Sequence, residues 1–540
     1  MPLRRRQFLQ SSLFFTIGLT ATAARADEPI PAIVIGSGFG GSVAALRLAQ
    51  AGVPTILLER GRRWSISPSE DTFATYAKPD GRSAWFRTTT VVYNPQPIES
   101  YAGILDLVTG KGINVLNGVG VGGGSLAYAA VTYQPTKKLF QKVFPKSVKY
   151  EELDRIYYPR VRSLLKPSPI PEDILNTSYY LGTRVFLEQA AKAGLKTRLL
   201  DINVDWNIVR EEIKGTKQPA TIAGEAWYGI NSGAKNSLDR NYLAQAEATG
   251  KLEILPLHIV VSISELGYGR GYRVICNQID EFGQIIAERS FVCQHLFLAA
   301  GSLGTSELLL RAKTTGGLTR LSPQVGKFWG TNGNSVGLRT GLPATNPTQG
   351  GPSTAAIEHF NNPIAPTVLV HAPFYGLPQN TLASLGLNIC QREGQIAYNS
   401  AKNGVDLTWP SDSPTNQTNL QAATYTFNLI DKANTTSTNQ PQTNIRQGSI
   451  PDFEAQTSGD RLQANLVASV DASATVAPLG GAVMEQVCDT YGRVFGYKGL
   501  YVVDGSLIPG STACSNPSLT IAALAERCMD RILHDFKWYK

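Results

Sequence analysis

Closely spaced cysteines are missing from this 540-residue chain. Its six cysteines, Cys276, Cys293, Cys390, Cys488, Cys514 and Cys528, are scattered and form no C-x-x-C. Neither a zinc site nor a redox pair is signalled, and no disulfide pairing can be read from such spacing. The thiols read as small apolar core residues. Histidine is scarce, with five in the chain, and no metal is expected. Charge is limited as well: 17% of residues are Asp, Glu, Lys or Arg, and the formal net charge is +8. Outside an N-terminal arginine cluster no basic stripe with interleaved aromatics occurs, which argues against nucleic acid.

Long apolar runs are also missing. The longest, Leu13–Ala24, falls short of the roughly 20 residues that span a bilayer. It follows Arg4-Arg5-Arg6-Gln7-Phe8-Leu9 and precedes Ala24-Arg25-Ala26. Residues 1–26 therefore read as a twin-arginine signal peptide cleaved after Ala26. That predicts an exported protein, periplasmic or secreted, folded around its cofactor before transport.

Glycine is plentiful, at 51 residues, and it is concentrated where it can do chemistry. Ala32–Ile35 is an apolar run that ends in Gly36-Ser37-Gly38-Phe39-Gly40-Gly41, and small apolar residues then follow at helical spacing. A second run, Thr55–Leu58, ends in Glu59. This is strand, glycine turn, helix, strand and acid. Gly36 permits the turn, Gly38 lets backbone approach a pyrophosphate, and Gly41 lets helix and strand pack closely. The helix N-terminus offers N–H groups to the phosphates. Glu59 can accept from ribose hydroxyls, which disfavours a 2′-phosphate and hence NADP.

A second glycine-rich stretch, Asn117–Ala130, carries Gly118, Gly120 and Gly122-Gly123-Gly124-Ser125 between apolar flanks. It reads as a ligand wall whose backbone lies flat against a bound group. Further on, Tyr150–Leu165, Ile174–Gly194 and Ser237–Ala248 are predicted helices. Leu252–Ile263 and Tyr272–Cys276 are predicted strands, with a hairpin turning at Glu281–Gln284 into a strand over Ile285–Cys293. A separate buried strand, Leu296–Ala300, leads into a helix over Thr305–Ala312. Thr367–Pro373 and Thr381–Cys390 are further strands. The polar stretch Asp406–Arg461 predicts long loops around a helix near Leu420–Ala433. At the C-terminal end a strand runs into Asp504-Gly505, and Asn516-Pro517 opens a helix over Ser518–Leu533, with Asn as N-cap and Pro as first residue. Asp504 is placed to hold cofactor hydroxyls.

Taken together, these segments resemble the glucose–methanol–choline (GMC) oxidoreductase superfamily, and within it the bacterial cholesterol oxidases that hold FAD non-covalently. The motifs are VIGSGFGGSVAALRL (34–48), YAGILDLV (101–108), GVGVGGGSLAYAAV (118–131) and LFLAAGSLGTSELLLRA (296–312). To these are added WGTNGNSV (329–336), PLGGAV (478–483), YGRVFGYKGLYVVDGSLIPGS (491–511) and NPSLTIAALAER (516–527). The resemblance implies an α/β fold, with a Rossmann-type FAD domain and a mixed-sheet substrate domain. The FAD domain would take in 27–150, 296–335 and 476–540, the substrate domain 336–475, and 151–295 would contribute to both. It implies FAD contacts from Gly36, Gly38, Phe39, Gly40, Gly41, Glu59, Gly118, Gly122, Gly123, Gly124, Ser125, Asp504, Gly505, Asn516 and Pro517.

The catalytic positions depart from the family pattern. The family His before Pro-Leu-Gly-Gly is Ala477 here, and the family Gly-Leu-Glu segment is Gly376-Leu377-Pro378-Gln379. Of that trio only the Asn, matched by Asn516, remains. An alanine offers no proton acceptor, and such a group is typically worth about 10²–10⁴-fold in rate. His371 or Tyr375 facing the flavin would be the substitute; His258, His295 and His534 read as structural. The expectation is an FAD-dependent oxidase of an apolar, sterol-like secondary alcohol. It would use O₂ as acceptor, lack the isomerase step, and make transient contact with a membrane surface. Against it stand a GMC flavoprotein with other chemistry, and a flavin- or lipid-binding protein with little turnover.

Overall fold

A computed structural model describes residues 29–92, 95–346, 349–435, 442–446 and 473–536. The expected signal peptide and much of the polar stretch after Thr435 lie outside them. The strand Ile30–Ile35 enters the glycine turn, the helix Phe39–Gln50 follows, and the strand Thr55–Leu58 returns in parallel beside the first. The right-handed crossover that such units favour sets the helix N-terminus at the strands' C-terminal ends.

The sheet runs Leu252–Leu255, Thr55–Leu58, Ile30–Ile35, Ile285–Leu298, Tyr272–Ile279, His258–Glu265, and Leu500–Val502 also pairs with Ile285–Leu298. Two expectations change here. The hairpin strand and the following buried strand are one 14-residue strand, Ile285–Leu298. Its first half is exposed and pairs antiparallel with Tyr272–Ile279. Its last residues are buried between Ile30–Ile35 and Leu500–Val502, both parallel to it. The polarity change along one strand imitated a boundary. Conversely, Leu252–Ile263 is two strands, broken at Leu257, whose φ is 58°. His258 N–H then donates to the Glu59 carbonyl (2.9 Å).

Tyr150–Leu165 is helical throughout, with a π-helical stretch at Leu153–Tyr157. The helix expected over Ile174–Gly194 is divided into Glu172–Leu175, a 3-10 turn at Ser178–Tyr180 and the main helix Leu181–Lys192, with a turn at Thr177, whose hydroxyl donates to the Ile174 carbonyl (2.8 Å).

The second sheet runs 442–446, Ser335–Thr340, Leu382–Asn388, Thr367–His371, Ala355–His359, Lys196–Leu199. Every pair in it is antiparallel, where a mixed sheet was expected. Side chains alternate between its faces. Ile357 and Leu369 pack under the helices Leu181–Lys192 and Pro414–Asn434, against Phe186 and Phe427. Ala356, Val368, Val370 and Leu387 point the other way and join the core that continues into the first sheet. The helix Pro414–Asn434 contains the expected Leu420–Ala433 and begins at Ser413, whose hydroxyl accepts from Asn416 N–H (3.4 Å).

Candidate functional site

The two glycine loops meet. A Cβ on Gly123 would lie 2.6 Å from Gly38 Cα. Gly36 and Gly41 are required by packing, since a Cβ would fall 2.3 Å from the Ala299 carbonyl oxygen at Gly36 and 1.9 Å from the Gly36 carbonyl oxygen at Gly41. Gly40 backs in the same way onto Val503 (2.0 Å to its carbonyl oxygen), and Gly118 onto Gly124 (2.8 Å to Cα). Gly38 and Gly124 differ: a Cβ on either would meet nothing within 4 Å. These two present bare backbone to open space, as a close-lying phosphate or ring requires.

Ser37, which sequence reasoning passed over between two glycines, ties the loops together. Its hydroxyl donates to Glu59 Oε2 (2.6 Å), with the Gly120 carbonyl 3.1 Å away, and it accepts from Gly122 N–H (3.0 Å). Glu59 also accepts from Ser37 N–H (3.0 Å) and Gly61 N–H (2.9 Å). With about four lone-pair sites on a carboxylate, a place remains for one ribose hydroxyl. Phe39 packs edge-on against Tyr128, with ring centroids 5.5 Å apart.

Two residues expected to touch the cofactor are tied into the scaffold. Asp504, buried, accepts from Gly301 N–H (2.8 Å), Thr305 Oγ1 (2.6 Å), Ser506 N–H (2.9 Å) and Ser506 Oγ (2.5 Å). Its acceptor capacity is filled by protein, and it fixes the start of the helix Gly301–Thr314. Ser125 Oγ donates to the Gly122 carbonyl (2.7 Å) and accepts from Leu238 N–H (3.0 Å), which braces the loop. Gly505 accepts from Gly480 N–H (3.0 Å) and so holds the turn before Asn516 against the Pro478–Gly480 segment.

Asn516 and Pro517 open the helix Pro517–Asp535 as expected, yet the Asn516 side chain makes no capping bond. Its Oδ1 is buried and without a hydrogen-bond partner. Such an orphan is open to a bound group. Around it the chain is held firmly. Asn332 Nδ2 donates to the Ser515 carbonyl (2.8 Å), and Asn332 Oδ1 accepts from Thr512 N–H (2.7 Å). Gly330 and Leu479 exchange backbone bonds (2.9 and 3.0 Å), and Asn332 N–H donates to the Gly510 carbonyl (3.1 Å). Residues 330–334 therefore run between the segment bearing Ala477 and the segment bearing Asn516. Ala477 itself is buried, with its N–H on Thr475 Oγ1 (3.0 Å).

Neither substitute base faces this place. His371 shares a face with Leu369, under the helix Leu181–Lys192. Its Nδ1 lies 3.2 Å from Thr183 Oγ1, its ring packs 5.4 Å from Phe186, and burial pulls its pKa down to about 3. The next residue, Ala372, points oppositely and lines a pocket with Ala129, Ala226, Trp227, Pro373 and Phe374. Strand alternation decided the matter, and sequence alone could not say which parity faced inward. Tyr375 is 39% exposed and packs on Tyr76 (5.2 Å). His258, His295 and His359 are buried, with His258 Nδ1 2.8 Å from the Pro256 carbonyl and His359 Nδ1 2.8 Å from Thr426 Oγ1.

Two titratable groups beside the pocket carried no sequence signal. Glu225 lies between Gly224 and Ala226, both pocket residues, and burial pushes its carboxyl up to about 8. Lys235 is buried and donates to the carbonyls of Leu126 (2.8 Å), Tyr128 (2.9 Å) and Ala226 (2.8 Å). Burial pulls its pKa down to about 7, but three carbonyls matched to three N–H donors are a site built for the ammonium. The six cysteines are all buried and unbonded. Among the described residues no group of three His, Cys, Asp or Glu could hold a metal.

Residues 391–525 match the GMC oxidoreductase family. They include Ala477, the Pro-Leu-Gly-Gly segment, Asp504 and Asn516. A cholesterol oxidase of Mycobacterium tuberculosis is 26% identical over 92% of this chain and 89% of its own. Over residues 391–525 the chain is similar to GMC-type oxidoreductases. The family match and the cholesterol oxidase similarity make it an oxidoreductase acting on CH–OH donors, and its fold is that of solved structures. Pyridoxine 4-oxidase from Mesorbium loti superposes with a TM-score of 0.64 at 15% identity, covering 93% of this chain and 99% of the other. An FAD-dependent oxidoreductase from Chaetomium thermophilum superposes at 0.62 and 15% identity, covering 94% and 100%. These likenesses establish the fold of the chain.

Proposed function

We propose that the chain binds FAD and oxidises an apolar secondary alcohol of sterol type, with O₂ as the final acceptor. The observation that carries this is the buried, unpartnered Asn516 Oδ1, at the start of a helix beside a loop pair whose Gly38 and Gly124 face open space. When bound, FAD supplies the hydride acceptor. The chain's own residues do the rest. Gly38 and the N-terminus of the helix Phe39–Gln50 would cradle the pyrophosphate, Glu59 would accept a ribose hydroxyl, and Gly122–Gly124 would lie against the ring. Ala129, Trp227 and Phe374 offer an apolar wall, with the Trp227 and Phe374 rings parallel within 4° at 6.4 Å. Relatives named cholesterol oxidase support a sterol as the substrate. Gly376–Gln379 contains no carboxylate, so the isomerase step is absent from the proposal.

Anaerobic mixing of the FAD-loaded protein with cholesterol tests the reading. Bleaching of the visible flavin band, with recovery and peroxide on admitting air, is the expected outcome. A flavin that stays oxidised with cholesterol removes the sterol. Ala477 favours a second reading, a GMC flavoprotein acting on another alcohol, and a panel of alcohols under the same conditions separates the two. We further propose export through the twin-arginine route. Replacing Arg5-Arg6 with lysines should leave the protein in the cytoplasm, and unchanged export would refute that route.

A further inference from the structure

Ala477 leaves the family's hydroxyl-binding position without a polar side chain, but not without polar neighbours. Thr475 Oγ1 accepts the Ala477 N–H (3.0 Å) and lies 2.8 Å from Asn334 Oδ1, with the Thr331 carbonyl a longer second acceptor at 3.1 Å. The Thr475 hydroxyl thus fixes the Asn334 amide by its oxygen and turns the amide nitrogen away. That nitrogen, Nδ2, is buried and has no partner, in a residue only 6% exposed. A buried unsatisfied donor is costly, and a ligand oxygen would satisfy it. Asn334 lies on the segment between those of Ala477 and Asn516, and Asn516 contributes an orphaned buried acceptor.

We propose that Asn334 is the substrate-positioning residue that replaces the missing histidine: its Nδ2–H donates to the alcohol oxygen. An alcohol is both donor and acceptor, so a donor from Asn334 and an acceptor from Asn516 match it on both counts. The pair holds and orients the hydroxyl and transfers nothing, because an amide does not take up its proton. This rests on the alcohol-oxidising reading above.

Flavin reduction in the FAD-loaded, anaerobic protein is followed against concentration of cholesterol and, separately, of cyclohexanol. Asn334→Ala should raise the apparent Kd of whichever alcohol reduces the wild type by about tenfold, the worth of one good hydrogen bond, with FAD content unchanged. Adding Ala477→His to that variant should restore part of the loss, which no purely structural role of Asn334 would allow. An unchanged Kd overturns the proposal. If Asn334→Ala does not hold FAD, the same-sized Asn334→Asp, which exchanges donor for acceptor, is read instead and should show the same loss. If neither alcohol reduces the wild type, the oxidase reading fails on its own, and a crystal structure of the FAD-loaded protein in cyclohexanol decides about Asn334. An alcohol or water oxygen within hydrogen-bond distance of Nδ2 supports the assignment; an amide bonded to protein or to the flavin overturns it.

Discussion

Glu225 and Lys235 are both buried beside the pocket. The Glu225 carboxyl titrates near 8 in the folded protein and near 4.5 when unfolded. Between those values the folded state holds a proton that the unfolded state has lost. Its stabilising share is therefore complete below about pH 4.5 and disappears as pH rises through 8. Glu225→Gln should flatten the fall in thermal stability between pH 5 and 9 and raise the melting temperature most at the alkaline end, which scanning calorimetry across that range would check. Lys235→Met removes three charge-assisted hydrogen bonds and strands the carbonyls of Leu126, Tyr128 and Ala226. A loss of about 3–5 kcal/mol is expected, measured by urea unfolding at pH 7. A change below 1 kcal/mol would mean that the three carbonyls find other donors.

Among the elements, the contact between the two glycine loops is the most sensitive to a single methyl group. Gly123 has φ 53° and lies against Gly38. Gly123→Val should separate the loops and lower FAD retention at least tenfold while far-UV circular dichroism stays native. The Gly36–Gly41 turn, its helix and Glu59 were legible in the sequence, because glycine spacing and apolar periodicity act within thirty or so residues. Asn516-Pro517 was legible for the same reason, as a local helix start. Asp504 was placed correctly at a strand end but given the wrong task, since its partners Gly301 and Thr305 lie some two hundred residues away. Asn334, Glu225 and Lys235 left no local trace. Their importance lies in what surrounds them, and only the three-dimensional arrangement assembles it. His371 failed through parity, a one-residue difference that reverses the face a strand residue occupies.

For the whole molecule, one layout serves both sheets. The face of the antiparallel sheet that carries Val368 and Val370 shares a core with the first sheet, and the face that carries His371 is closed by helices. Removal of residues 500–540 should abolish FAD binding altogether, since it takes away Leu500–Val502, Asp504 and the helix Pro517–Asp535. Flavin retention on a purified truncated chain is the measurement, and an intact yellow protein would show that the N-terminal turn binds alone.

The helix Phe39–Gln50 is clamped to the helix Pro517–Asp535 by Arg47, whose Nε and Nη2 donate to Glu526 at 2.7 and 2.6 Å across 479 positions of sequence. A ribosome synthesises the first of these helices early and the second last. The early one packs on Ile30–Ile35, Thr55–Leu58 and the helix Tyr242–Ala248, but its clamp to the late helix waits until Glu526 has been made. A chain that stops before Glu526 therefore lacks this clamp and leaves one side of the helix Phe39–Gln50 uncovered.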